Sequence, residues 1–466
     1  MSSEFFWTSE QLVAACDGEL IGANCQFSGV STDTRSLQAG ELYIAIIGES
    51  FDGHQFVEQA QMLGAAAVLV SRALEIDIPQ IVVQDTRIAL GKFAQWHRLQ
   101  MPVKTVIGIT GSNGKTTTKT LLAQLFSLQG STLATQGNLN NDFGVPRTLL
   151  ALRPEHEYAV IEMGANHQGE IRYLTHLVQP DIALLNNAAE AHLEGFGSLE
   201  GVIAGKGEIF EGLDVQRNPK ACAVLNADSP GFEQWLQKLQ QLELPHKKVF
   251  AKHTQAADVS YSDVLQEDSA LSFTLTLRSS GDEVVSYPVK APIVGAHHAS
   301  NIAACCAVGL AAGLEWSQMA PVIAGFNGVS GRLQRKTYTF GTLIDDSYNA
   351  NPASVAAAIE TLGKMSGHNI LCLGAMAELG NYAHAAHQAL LEKALTYGFS
   401  QIYLLGEYWP DTDEAHVQIA QTHQEIAQAL LVDIQALGRP VNILVKGSRS
   451  AKMETISEFL QQQFAV

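Results

Sequence analysis

Apolar and polar positions change period several times along this chain, and each change marks an element. In residues 1–84, short apolar runs at 42–47, 66–70 and 81–83 are separated by a helix-like stretch at 55–63, which predicts a small α/β unit. Thr8-Ser-Glu-Gln11 has the spacing of a capping box ahead of apolar-periodic residues 12–15. Asp85 is placed to cap a helix through Gln100, which Met101-Pro102 breaks. From 103 to about 325, buried runs such as 158–161 and 182–185 alternate with helical spacing, the pattern of a mostly parallel sheet covered on both faces. Leu271, Phe273, Leu275 and Leu277 alternate with polar residues, and Ser280-Gly-Asp282 separates them from 284–289, predicting a half-exposed hairpin. After Gly331-Arg332 the α/β pattern restarts, with apolar runs at 343–344, 370–373, 402–405 and 443–445. The expected architecture is α/β with three domains, 1–84, 85–325 and 326–466, the last Rossmann-like but without G-x-G-x-x-G. Residues 326–330 form the expected hinge, with Gly328 and Gly331 able to absorb the backbone change.

The first chemistry comes from 105–129, which reads as strand, glycine-rich turn and helix. Gly111, Ser112, Asn113 and Gly114 carry no bulky side chains, so their backbone N–H groups can converge on phosphate oxygens at the start of the helix. Lys115 follows to reach the β and γ phosphates, and the Thr116 hydroxyl is placed to join a Mg²⁺ shell, with Thr117 next to it. The strict pattern G-x-x-x-x-G-K-[ST] requires glycine at 109; this chain has Ile109, with glycines at 108 and 111, which argues against a common GTPase.

Glu162 and His192 follow the ends of two predicted strands, where open α/β sheets bind ligands, so both point towards the phosphate loop. A solvated loop acid and a core histidine are the plainer accounts of the two. Asn138, Asn140 and Asn141 cluster before Gly144-Val-Pro146, and turn chemistry explains them as well as substrate contact does. Ser31-Thr-Asp-Thr-Arg35 is by itself a polar loop.

Net charge is 29 − 47 = −18, which removes nucleic acid and anionic membrane surfaces as partners. Six cysteines without C-x-x-C spacing read as reduced core thiols. No signal peptide opens the chain and no apolar run reaches the roughly 18 residues of a membrane span, so a cytoplasmic protein without membrane insertion is expected, and a monomer.

Taken together, Gly108 to Thr117, Glu162, Asn186-Asn-Ala-Ala-Glu-Ala-His192, Ala204-Gly-Lys-Gly-Glu208, His298 to Asn301 and Asp345-Asp-Ser-Tyr-Asn-Ala-Asn-Pro352 resemble the Mur ligases in order and spacing, over essentially the whole chain. Asp345 to Pro352, with Gly380 closing Glu378-Leu-Gly, looks like the subgroup that joins D-alanyl-D-alanine to UDP-N-acetylmuramoyl tripeptide. The diaminopimelate-adding relatives carry Asp-Asn-Pro-Arg in the last domain, and this chain has no such tetrapeptide. The resemblance implies a UDP-binding first domain, a central P-loop ATPase domain and catalysis through an acyl phosphate. It implies nucleotide contacts from residues 111–117 and from Asn301 (adenine), Arg332 (phosphate), Asp346 (ribose) and Tyr348 (stacking). One Mg²⁺ would be held by Thr116 and Glu162, a second by His192 and a carbamoylated Lys206, with Lys115, Lys206 and His192 as the catalytic set. Thr34 and Arg35 would touch UDP, and Asn138, Asn140 and Asn141 substrate and active-site water. Two rivals remain at this level: a folylpolyglutamate synthase, which has no need of a UDP domain, and a P-loop switch or motor without a small-molecule acceptor.

Overall fold

The computed structural model describes all residues except 1–4, 49–50, 255, 268, 279–282, 438–439 and 465–466. Three sheets follow one another along the chain. The first has five strands in the order Glu19–Ile21, Gln80–Val82, Ala67–Val70, Leu42–Ile44, Val30–Ser31, parallel except for the first pair. A two-stranded ribbon, Trp7–Thr8 with Gln26–Phe27, sits beside it. Four of these seven strands have only two or three residues and no foreshadowing in the apolar pattern, because so short a segment cannot display a period. Residues 55–63 divide into a 3₁₀ turn, Gly53–Phe56, and a helix, Val57–Met62.

The second sheet has nine strands, seven of them joined to a neighbour by parallel pairing around Thr105–Thr110, which lies between Ile182–Leu185 and Tyr158–Glu162. The predicted hairpin forms its far edge as Leu271–Arg278 and Val284–Ala291, paired antiparallel; burial alternates along the first strand. Its predicted turn, Ser280-Gly-Asp282, lies outside the described residues. The third sheet has six strands, with Gly341–Asp346, Val441–Lys446, His368–Gly374 and Gln401–Leu405 parallel at its centre and Gln334–Tyr338 antiparallel at one edge. Between the second and third sheets the helix Trp316–Gly325 ends, and Gly328 (φ +82°), Gly331 (φ +68°) and Leu333 (φ +49°) turn the chain through left-handed conformations within six residues. Leu333 carries that strain without being glycine.

Both predicted caps form. Thr8 accepts from the Gln11 amide and Gln11 reaches back, starting the helix Ser9–Cys16; Asp85 accepts from the backbone of Arg87 and Ile88, starting Thr86–Gln100. The second helix shares one continuous core with the first and second sheets. On it, buried His97 accepts from Trp7 Nε1 at Nδ1 (3.0 Å) and donates from Nε2 to the Leu152 carbonyl (3.0 Å). That arrangement is possible only for the neutral ring, and burial pulls the His97 pKa down from 6.5 to about 4. The unfolded chain therefore binds a proton that the folded one refuses between those pH values, so stability falls as pH drops from about 6.5 to 4 and the loss levels off below. The full effect is about 3 kcal/mol. Chemical denaturation at several pH values should show His97→Gln, whose amide can accept and donate likewise, losing less stability than the parent across that window. Equal slopes would place the acid sensitivity elsewhere.

Candidate active site

The phosphate loop is strapped to the loop that follows the neighbouring strand. Ser112 N donates to the Asn187 carbonyl (2.9 Å), and Asn113 N to Asn187 Oδ1 (2.8 Å). The Asn113 carbonyl accepts from Asn186 Nδ2 (2.8 Å) and Asn187 Nδ2 (3.1 Å). Ser112 Oγ exchanges bonds with the backbone of Ala189. Gly114 (φ +78°) starts the helix Lys115–Ser127, and a Cβ there would strike the Asn301 and Asn186 amides, so glycine is required for space as well as conformation. Lys115 Nζ donates to the carbonyls of Gly111 (2.6 Å) and Ser112 (3.3 Å), and burial lowers its pKa. Thr116 and Thr117 follow on the first helical turn and line the same cleft.

Glu162 ends its strand 2 % exposed. Its Oε1 accepts from Asn140 Nδ2 (2.9 Å) and the Thr116 hydroxyl (3.4 Å), and its backbone N–H donates to Thr135 Oγ1 (2.9 Å). Oε2 has no hydrogen bond, and Lys119 Nζ stands 3.9 Å away. Of the three asparagines, Asn140 is thus at the site. Asn141 instead accepts the N–H groups of Phe143 and Gly144 at a helix start, and the exposed Asn138 makes, among the described residues, only a backbone turn contact. Thr34 and Arg35 lie in the turn after Val30–Ser31; Thr34 bonds Gln59, and exposed Arg35 pairs with Asp33.

Lys206 is 1 % exposed. Among the described residues its Nζ donates only to the Ala165 carbonyl (3.2 Å), and it stands 5.2 Å from the Phe196 ring centroid. Burial, reinforced by Lys115, puts its pKa well below the ordinary lysine value. His192, in left-handed conformation, sets Nδ1 against the Glu378 carboxylate as an ion pair, and that close contact makes the carboxyl more acidic.

Two adjoining cavities, about 310 and about 300 Å³, open between the second and third sheets. Ser112, Asn113, Lys115 and Arg332 line both. The first also takes His192, Asn351 and Glu378; the second takes Gly114, Thr116, Thr117, Asn301 and Asp346. Asn301 accepts from Asn186 Nδ2 (3.0 Å) and bonds His298 Nδ1 (3.2 Å). The Arg332 guanidinium lies 4.1 Å over the Tyr348 ring, which brings Tyr348 beside the cleft. Asp346 accepts from the Leu333 N–H (3.1 Å) and from buried Lys446 Nζ (2.7 Å). Residues from the central and last sheets thus face one space.

Sequence reasoning gave no individual place to Asn186, Asn187, Asn351, Glu378 or Lys446. Lys446 had a usable signal, a lysine ending an apolar strand at the carboxyl edge of a parallel sheet. The others stood in the stretches that carried the resemblance, but their cross-contacts join residues 73 to 238 positions apart. Among the described residues no group of three or more His, Cys, Asp or Glu is gathered as a metal cage.

Three family profiles match the chain: "Mur ligase family, catalytic domain" over residues 26–106, "Mur ligase middle domain" over 109–309 and "Mur ligase, glutamate ligase domain" over 331–449. A UDP-N-acetylmuramoyl-tripeptide–D-alanyl-D-alanine ligase from Escherichia coli (strain K12) is 40% identical over 465 residues, 98% of each chain. A crystal structure of MurF from Acinetobacter baumannii superposes with a TM-score of 0.89 at 32% identity, covering 98% of this chain and 99% of that one. MurF from Thermotoga maritima, solved in complex with ADP, gives 0.81 at 26% identity, covering 93% and 97%. With profiles, sequence and architecture agreeing from one end to the other, the chain belongs to the Mur ligase family.

Proposed function

We propose that the protein is an ATP-dependent ligase that joins D-alanyl-D-alanine to UDP-N-acetylmuramoyl tripeptide in the cytoplasmic synthesis of peptidoglycan precursor. The observation that carries this reading is the interdomain cleft in which the phosphate loop and Asn301 face Arg332 and Asp346. The relatives' printed activity, matched over full length, names the substrates. In this reading residues 1–84 hold the UDP moiety, with Thr34 and Arg35 in contact, 85–325 bind ATP, and 326–466 close over it; the chain acts as a monomer.

The chemistry divides into two steps. An oxygen of the peptide's terminal carboxylate attacks the γ phosphorus of ATP, ADP leaves, and an acyl phosphate forms. The free amine of the dipeptide then attacks the acyl carbon, phosphate leaves, and the amine gives up a proton as the amide forms. Both steps move negative charge, so catalysis is mainly positioning and neutralisation. Loop N–H groups and Lys115 hold the β and γ phosphates, Arg332 meets a phosphate, Asp346 the ribose with Tyr348 stacked nearby, and Asn301 the adenine.

Glu162 suits a Mg²⁺ ion: a buried carboxylate oxygen without a hydrogen-bond partner, beside a threonine hydroxyl, fits a cation that keeps several waters and arrives with its nucleotide. Such an ion would neutralise the β and γ oxygens, with Asn140 and Thr116 orienting the carboxylate. A second ion would be held by His192 and by Lys206 as its carbamate, whose oxygens suit a hard cation where an ammonium would repel it. Asn138 and Asn141 stay with the substrate side of this reading.

The test is direct. Protein, ATP, UDP-N-acetylmuramoyl tripeptide and D-alanyl-D-alanine should yield a product heavier than the acceptor by the dipeptide less water, with one ADP and one phosphate per amide bond. ADP formed at the same rate without the UDP-sugar would favour a nucleotide switch. A thermal-shift response to folates and not to UDP-sugar peptides would favour a folate ligase.

A further inference from the structure

Asn113 occupies the middle of the phosphate loop, and its backbone is fully committed to the central domain through Asn186 and Asn187. Its side chain is not. Asn113 Oδ1 accepts from Asn351 Nδ2 at 2.7 Å, 238 residues further on and across the cleft. This is the one hydrogen bond that the Asn113 side chain makes among the described residues. Asn351 is equally committed on its own side: its Oδ1 caps the helix Pro352–Gly363 by accepting from Ser354 N (2.9 Å), with the Ser354 hydroxyl bonding back, and the Asn351 carbonyl accepts from Val355 N (2.9 Å). One amide therefore does two jobs, its oxygen fixing the first turn of a C-terminal helix and its nitrogen holding the phosphate loop.

The geometry points to Asn351 as a positioning residue for the transfer reaction: it couples the seating of the C-terminal domain to the conformation of the phosphate loop, so that the loop takes its working shape when the domain is docked. The inference rests on the nucleotide reading of the cleft given above and deepens it. A glycine-rich turn has little side-chain packing to hold it, so a contact at its centre has more leverage than one at its ends. The hinge at Gly328, Gly331 and Leu333 supplies the freedom that the contact removes. Amide-to-amide hydrogen bonding is neutral and short-ranged, so it registers position without opposing the charge of the nucleotide. His192 with Glu378 is a second crossing point on the same face, but it does not touch the loop.

Asn351→Ser separates the two jobs, because serine caps a helix as well as asparagine but is too short to reach Asn113. The variant should unfold at the parent's temperature and lose about tenfold in kcat with the KM for ATP little changed, the signature of an interaction that matters after the nucleotide is bound. Asn113→Ala, which leaves the loop's backbone bonds intact, should lose a similar factor. The double variant should be no worse than the poorer single one, since both delete the same bond. Small-angle scattering should show the parent compacting with a non-hydrolysable ATP analogue more than Asn351→Ser does, a comparison that stands whether or not turnover is measured. Losses that multiply in the double variant, a serine variant with the parent's kcat, or equal compaction would each overturn the proposal. Absence of ADP and amide product from the parent itself would instead count against the ligase reading.

Discussion

Lys115→Ala is expected to abolish ligation. The ammonium is held by the carbonyls of Gly111 and Ser112, at the mouth shared by both cavities, where the γ phosphate must sit for its neighbours to reach it. Burial lowers its pKa, and the field of an incoming polyphosphate would oppose that shift, so the charge is strengthened when it is needed. Removing one donor aimed at developing charge costs about 10²- to 10³-fold in kcat. The loop's own bonds to Asn186 and Asn187 do not involve the lysine side chain, so the variant should fold. A continuous ADP-release assay beside a melting curve decides the matter. A folded variant with near-parental turnover would mean that 111–117 is not the phosphate loop.

Lys206→Ala is the second large effect expected, with an unusual rescue. A lysine 1 % exposed, with one carbonyl as its hydrogen-bond partner among the described residues, is poorly provided for as a cation, and burial puts its pKa well below the ordinary lysine value, towards the neutral amine. A neutral amine is the form that adds CO₂, forming an N–C bond and releasing a proton to give a carbamate. That anion would replace a mismatched group by oxygen ligands for a hard cation. Truncation to alanine should therefore cost about a hundredfold or more, the scale of losing one transition-state electrostatic partner. Small carboxylic acids added in solution should restore part of the activity by occupying the vacated position, while leaving the parent unaffected. Lys206→Arg keeps the charge but cannot form this carbamate and should be inactive. An active alanine variant, or an arginine variant equal to the parent, would refute the carbamate.

Much of this site was legible before any coordinates. Gly111 to Thr116 could be read because the chemistry of a phosphate loop is local: a strand, a turn without side chains and a helix start are contiguous in sequence. Glu162 could be placed by a rule about parallel sheets, since the carboxyl end of a neighbouring strand has few places to go. The three asparagines could not be separated. Asn140 reaches Glu162 while Asn141 caps a helix, and which one turns inward depends on the exact path of a loop with no period to read. Apart from the family resemblance, nothing local to Lys206 marks it; its helix, Leu199–Gly207, is apolar over most of its faces and lies where other elements cover it.

Sequence by itself determined what is short-ranged: the caps at Thr8 and Asp85, the alternation in 271–277, the parallel apolar runs and the phosphate loop. These follow from backbone sterics, periodicity and hydrogen bonding within a few residues, which the order of side chains specifies directly. Tertiary structure alone decided what joins distant parts of the chain: across the cleft, Asn113 with Asn351 and His192 with Glu378; within the last unit, Asp346 with Lys446 and the stacking of Arg332 on Tyr348. The physical reason is that the cross-cleft contacts depend on the relative placement of two sheets joined through the left-handed residues Gly328, Gly331 and Leu333, and a rotation of a few degrees there would move a side chain across the cleft by more than a hydrogen bond tolerates.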